Sequence, residues 1–266
     1  MCGITGIFHF DRQAPVDDAV LTAMRETMAH RGPDGAGNWL GGHVGLGHRR
    51  LSIVDVAGGH QPMSNEDGSV WVTFNGEIYN HQELRSWLVS RGHSFRTHAD
   101  TETLVHLYEE EGEEGVQRLK GMFAFGLYDA RRDRMLLVRD RLGIKPLYFH
   151  VTPERVLFGS EIKAILAHPD VRAEVNWPRV PEFFLYGSIY GRETFLRNVE
   201  ELEPGHLLIA DRRGVTRQRY WDLPTEPVHA LSDREQTERC KVLLLEAVRQ
   251  RLMSDVPLGA FLSGGV

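Results

Sequence analysis

Met1-Cys2-Gly3-Ile4-Thr5-Gly6-Ile7-Phe8 opens the chain. A cysteine directly follows the initiator methionine, and small second residues permit removal of that methionine. The product would be a single residue carrying a thiol and a free α-amine. An α-amine titrates near about pH 8, well below a lysine side chain, so a usable fraction is neutral and accepts a proton. A thiol beside its own base is a compact activated nucleophile. The same stretch reads as a buried strand: Ile4, Ile7, Phe8 and Phe10 lie among small residues and the run ends at Asp11-Arg12. The alternative reading is a start residue followed by an arbitrary small one. The rest of the chain decides between them.

The chain has 266 residues, 41% hydrophobic and 26% charged, which suits a folded domain with a sizeable core. A net charge of −6 argues against a general nucleic-acid or anionic-membrane binder. The two cysteines, Cys2 and Cys240, do not form a disulfide framework, and a reducing cytoplasm is the expected home. No signal peptide and no long apolar run are read.

Along the chain, Asp17 or Asp18 caps a helix reaching His30, and Arg31-Gly32-Pro33-Asp34-Gly35 forms a loop. Strands are predicted over 37–40, 44–48, 51–54 and 70–74, with a turn at Asn75-Gly76. Asn80, with Glu83 at the capping-box position, starts a helix that Gly92 stops, and a further helix covers 101–111. Strands at 122–128 and 135–139 form a hairpin. Strands at 146–149 and 156–158 follow, and Ser160 caps a helix to Ala167. A helix at 178–186 precedes strands near 194–195, 206–210 and 215–221. A polar stretch with Pro224 and Pro227 marks a linker over 222–230. Ser232 and Glu235 then open a long amphipathic helix whose apolar stripe includes Cys240, Leu243, Leu244 and Val248, with Cys240 read as a core residue. An apolar strand is expected over 257–262, and Ser263-Gly264-Gly265 after it has the small-residue character of a phosphate-cradling loop. Many strands with a few helices suggest stacked sheets with helices outside.

A Cys2 nucleophile attacking a carbonyl needs donors for the developing oxyanion. The Asn75 amide and the Gly76 backbone N–H are candidates, with an ordinary Asn-Gly turn as the alternative. An amino-acid substrate needs a cation for its carboxylate, which an arginine can bind bidentately, and Arg49 and Arg50 stand at the mouth of Leu51-Ser52-Ile53-Val54. It also needs an acid for its ammonium. Asp100 is a candidate, though by spacing alone a helix cap is the better reading of its position. The 13 histidines show no metal-ligand spacing, and no metal site is expected. The Arg139–Pro146 run reads as a phosphate contact or, preferably, a buried salt-bridged turn.

Taken in order, Met1-Cys2-Gly3-Ile4, Arg31-Gly32-Pro33-Asp34, Arg50–Asp55, Gln61-Pro62, Asn75–Asn80, Asp100-Thr101-Glu102 and Gly121–Phe125 resemble the glutamine-hydrolysing asparagine synthetases. Arg139–Gly143, Lys145–Tyr148, Ser160–Ala164 and Ser254–Pro257 extend the resemblance over nearly the whole chain. It implies an α+β fold: a four-layer αββα sandwich of the N-terminal-nucleophile hydrolase type over residues 1–221. A linker at 222–230 and the start of an α/β ATP-pyrophosphatase domain at 231–266 would follow. It implies Cys2 as nucleophile with its α-amine as base, and Asn75 and Gly76 as the oxyanion hole. Arg50, Leu51, Ser52, Ile53, Val54, Glu77 and Asp100 would hold glutamine, Arg50 on the carboxylate and Asp100 on the ammonium. Leu262, Ser263, Gly264 and Gly265 would belong to the ATP loop. The glutaminase step needs no cofactor, whereas the intact synthetase would use ATP and Mg²⁺ with aspartate, as a possible homodimer. The long C-terminal helix would be left without partners in this chain. Another ammonia acceptor (a sugar, a lactam precursor or a polysaccharide-linked group) and a non-catalytic regulatory module are the alternatives.

Overall fold

The computed structural model describes residues 1–225, 231–260 and 264. In chain order its strands and α-helices are β1 Gly3–His9, α1 Asp18–Glu26, β2 Gly35–Leu40, β3 Val44–Arg50, β4 Met63–Ser64 and β5 Val70–Ile78. Then come α2 His81–Ser90, α3 Asp100–Glu111, β6 Gly121–Asp129, β7 Arg134–Arg139, β8 Tyr148–Val151, β9 Arg155–Gly159 and α4 Ile162–Leu166. The last are α5 Val180–Tyr186, β10 Val199–Glu201, β11 His206–Asp211, β12 Gly214–Arg219 and α6 Asp233–Gln250.

The opening stretch is central to the first sheet, ordered β10-β8-β9-β1-β3-β2. Side chains alternate across a strand. Ile4 and Phe8 of β1 therefore enter one apolar cluster and Ile7 another. The second sheet, β12-β11-β7-β6-β5-β4, shows the same division. Val70, Val72, Phe74 and Ile78 of β5 pack towards α2 and α3, whereas Trp71 stacks on Trp39 of the first sheet. Three clusters thus separate four layers: α1 with α4, the first sheet, the second sheet, and α2 with α3. This is the expected αββα sandwich.

Between the sheets the packing is tight enough to dictate glycine. Phe158 is fully buried. A Cβ at Gly6 would stand 2.3 Å from its ring, and one at Gly126 2.4 Å, so a glycine from each sheet admits the ring.

Several expected elements differ, and each difference has a local cause. Residues 51–54 form no strand, because β3 ends at Arg50 and the chain turns into a loop held by side chains. Asn75-Gly76 is not a turn: β5 runs straight through both, paired with Ala124 and Phe123. Gly76 is required there because its Cβ would meet Met122 O at 2.2 Å. Asn80 makes no side-chain cap. Its amide instead donates to Arg118 O and accepts from Lys120 N. Ser160 does not cap α4 either; its Oγ accepts from Ile4 N, 3.1 Å away in β1. Around Thr194 only isolated bridges form. The Ser232–Glu235 capping box is present on α6. Cys240, however, is exposed rather than in a core, because no described element covers the apolar stripe of α6. Residues 257–260 are not strand, Gly264 is an exposed bend, and Leu262, Ser263 and Gly265 lie outside the described residues.

Candidate active site

A cleft of about 200 Å³ opens where the two sheets part at the end of β1. By the alternation of β1, Cys2 points to the same inter-sheet side as Ile4. Its Sγ lies 3.4 Å from Leu51 N and 3.6 Å from Leu51 O. Burial pushes the Cys2 thiol up from its ordinary range, against the opposing pull of the Leu51 N–H, the chain terminus and Arg50. The thiol therefore needs a base to react at neutral pH. The α-amine, carried here by Met1, is lowered by burial, and it donates to Arg31 O at 3.2 Å. Met1 itself is 55% exposed and contributes little to packing.

Arg31 fixes this terminus. Its Nε donates to Cys2 O at 2.9 Å, while a terminal nitrogen donates to Glu161 Oε1 at 3.0 Å. The adjacent Gly32 is forced, since a Cβ there would fall 2.3 Å from the Arg49 carbonyl. Asp34 closes the same loop by accepting from Ser52 N at 2.8 Å.

The opposite wall is the free edge of β5. Odd-numbered residues of β5 bond into β6, as Tyr79 N continues to do with Lys120 O. The even-numbered N–H groups point the other way, and β4 pairs only as far as Val72, leaving those of Phe74, Gly76 and Ile78 beyond it. Phe74 N donates to Gln61 Oε1 at 2.6 Å and Ile78 N to Asp100 Oδ2 at 2.9 Å. Gly76 N–H lies between these two on the same edge, facing the cleft. Beside it the Asn75 side chain, 1% exposed, carries an Nδ2 with no hydrogen-bond acceptor. A buried amide donor left open in a cleft, next to an open backbone N–H, is a preorganised anion site.

Charged groups line the same cleft. Asp100 is the first residue of α3, whose cap is Ala99, so its carboxylate is not the cap and turns instead into the cleft wall. Burial raises its pKa to about 7, helped by the nearby Glu77 and resisted by the Ile78 N–H. Burial likewise raises Glu77, and Lys145 opposes the rise. Lys145 is lowered by burial and held up mainly by Glu77. A buried acid raised this far is a site waiting for a cation. Arg50 is buried at the end of β3, and its guanidinium donates to the carbonyls of Val54, Asp55 and Val56. Those three bonds curl the 51–56 loop around it, and two of its five N–H donors are left over.

The structure thus brings Cys2, Arg50, Leu51, Ile53, Val54, Asn75, Gly76, Glu77 and Asp100 to one cleft. Ser52 does not line it. Gln61, Thr101, Met122 and Lys145 also line it and were not singled out from sequence. The Arg139–Pro146 run is the salt-bridged turn. Asp140 accepts from the backbone N–H groups of Leu142, Ile144 and Lys145, and Arg139 pairs with Glu201 at 2.8 Å. That turn delivers Lys145 to the cleft.

Comparisons with known proteins agree with this geometry. Residues 1–221 match the glutamine amidotransferase domain family, and residues 239–266 match the asparagine synthase family. Over 269 residues the chain is 40% identical to "Asparagine synthetase [glutamine-hydrolyzing] 3" of Bacillus subtilis, covering all of this chain and 44% of that protein. It is 36% identical over 284 residues to "Amidase chry2" of Gibberella zeae, covering all of this chain and 41% of that protein. The chain therefore spans less than half the length of either relative. Among solved structures, the glutamine phosphoribosylpyrophosphate amidotransferase of B. subtilis superposes with a TM-score of 0.58 at 23% identity, covering 83% of this chain and 49% of that one.

Proposed function

The chain belongs to the glutamine amidotransferase domain family, and from that premise we propose that its cleft hydrolyses glutamine through Cys2. The observation that carries the reading is the pairing of a buried thiol with two open donors, Asn75 Nδ2 and Gly76 N–H, on the facing strand edge. Removal of the exposed Met1 makes Cys2 the terminal residue. Its α-amine takes the thiol proton as Sγ attacks the side-chain amide carbon of glutamine. The oxyanion accepts from Asn75 and Gly76. The C–N bond breaks as the ammonium returns its proton, and ammonia leaves behind a thioester. Water, deprotonated by the same amine, then cleaves the thioester to glutamate. Asp100 and Glu77 receive the substrate ammonium, and the leftover N–H donors of Arg50 receive its carboxylate. Leu51, Ile53 and Val54 line the cleft beside Arg50.

The fate of the ammonia belongs to the longer protein. We propose that it amidates aspartate with ATP and Mg²⁺, giving asparagine in the cytoplasm, possession of a free thiol nucleophile suiting a reducing compartment. The 239–266 match and the B. subtilis relative support this. Similarity to the Gibberella amidase supports a second reading, in which the same glutaminase serves another acceptor.

The test is glutamate release from glutamine by the full chain, with the N-terminal mass determined on the same sample. Cys2→Ala should abolish release without loss of fold. Undiminished release from that variant, or full activity from protein that retains Met1, sinks the mechanism.

A further inference from the structure

Away from the cleft, at the other end of α3, two imidazoles and a carboxylate converge: His93, His106 and Glu109. We propose that these three form a divalent-cation site of the zinc class, with the carboxylate of Glu66 close by. Sequence spacing hides it. His106 and Glu109 are one turn apart on α3, His93 lies in the loop after α2, and Glu66 lies in the turn between β4 and β5. Only the packing of α2 and α3 on the second sheet gathers them.

The distances suit one ion. Glu109 Oε2 is 2.9 Å from His106 Nδ1 and 3.6 Å from His93 Nδ1. Glu66 Oε2 is 3.8 Å from His106 Nδ1. Donors arranged tetrahedrally around zinc at about 2.0–2.1 Å stand roughly 3.3 Å apart, so small side-chain shifts complete the set. Two imidazoles and the Glu109 carboxylate would supply three ligands, and the nearby Glu66 carboxylate would offset part of the remaining charge.

The surroundings also suit a ligand shell, in which the ion would displace the proton that Glu102 and Glu109 now hold on His106. A metal-bound imidazole donates its other N–H to a carboxylate, which fixes tautomer and ring plane. Here His93 Nε2 lies 3.1 Å from Glu110 Oε1. His106 Nε2 lies 3.8 Å from Glu102 Oε1 and has no hydrogen-bond partner, although the side chain is 1% exposed. A cation on Nδ1 places the ring proton on Nε2, towards Glu102. Glu102 is itself held by Arg96 N and Thr97 N, each at 2.7 Å. The second oxygen of Glu109 accepts from Asn65 Nδ2 at 2.7 Å. The ring of Phe95 closes one side, 4.6 Å from that of His106. An ion here would tie α3, the 93–97 loop and the Asn65–Ser69 turn together. It would do so without touching the glutamine cleft, so this inference is independent of the proposed activity.

The test uses the full chain carrying Cys2→Ser, which removes the cleft thiol as a competing ligand. Chelator-treated protein is titrated with zinc chloride by calorimetry, and separately with cobalt chloride in the visible range. The expected result is one zinc per chain, a rise in Tm on binding, and the strong visible bands of tetrahedral cobalt. His93→Ala, on a partly exposed loop, should retain the metal-free Tm and lose zinc affinity by more than about tenfold. Glu110→Gln should lose affinity about tenfold through the outer hydrogen bond. Absence of zinc binding, or zinc binding unchanged in both variants, overturns the proposal.

Discussion

Helices α3 and α6 obey opposite rules. α3 reads as polar, Asp-Thr-Glu-Thr-Leu-Val-His-Leu-Tyr-Glu-Glu-Glu, yet its first nine residues are all buried. α6 carries a well-capped apolar stripe, yet none of its residues is buried. Amphipathic pattern gives a helix a face; only neighbours bury it. The four layers supply those neighbours to α3, between β5, β4 and α2. Once buried, its polar groups must be satisfied or left poised. Thr97 and Arg96 satisfy Glu102, whereas Asp100 keeps a raised pKa of about 7 at the cleft. The contrast places the poised carboxylate on the helix whose sequence looks least suited to burial.

Removing the poised charge should give the largest effect. Asp100→Asn keeps an acceptor for Ile78 N but cannot pair an ammonium. Losing one partner of a buried charge pair costs about 2–5 kcal/mol, so kcat/KM for glutamine should fall roughly a thousandfold. Stability should move the other way. Asp100 has a folded pKa above its ordinary 3.8, so the folded state binds more protons than the unfolded chain. Its contribution is fully present below about pH 4 and is lost as pH rises towards about 7. Asp100→Asn should therefore be more stable than the parent at pH 8 and equal to it near pH 3.5. Urea midpoints at the two pH values check this, and equal differences at both would break the link between burial and function.

Apolar positions sharpen the comparison next. Leu104 of α3 is 3% exposed and Leu244 of α6 is 63% exposed. Leu104→Ala should destabilise by about 2–5 kcal/mol, and Leu244→Ala should stay within about 0.5 kcal/mol. Similar losses in both would mean that α6 is covered in solution.

Acid should then weaken catalysis through α3 and not through α6. If Asp100 receives the substrate ammonium as proposed, its protonation below about pH 7 removes that acceptor. The α-amine base must also be neutral, so two groups shape the acid limb of kcat/KM. The slope of its logarithm should approach two once pH falls below both pKa values, each group contributing up to tenfold per unit. In Asp100→Asn the slope should fall to one.

The sandwich was legible because β1, β5, β6 and β7 are apolar runs punctuated by turns, and the order of motifs fixed which family they resemble. Most of the residues named for the site from that resemblance meet in the cleft, although Ser52 does not. Their geometry was not legible. Asn-Gly promised a turn, but the pairing of Gly76 with Phe123 put the glycine mid-strand, where β6 leaves no room for a Cβ. Leu51–Val54 promised a strand, but Arg50 draws three loop carbonyls onto itself and ends β3. Lys145 was hidden because its place in the cleft depends on a turn built by Asp140. Local propensity carries no information about such long-range contacts.

The smallest effect tests the other side of the comparison. Ser232 Oγ accepts from Glu235 N while the Glu235 carboxylate accepts from Ser232 N at 2.9 Å, a complete capping box. With no buried face, α6 depends on this cap and on pairs such as Lys241 with Glu238. Ser232→Ala removes about 1 kcal/mol from that local balance. Because nothing in α6 packs into the layered core, the loss should appear as reduced helicity in circular dichroism. The sandwich Tm and the rate of glutamate release should be unchanged. A fall in Tm of several degrees would show that α6 folds as part of the sandwich, and the two helices would then differ in composition alone.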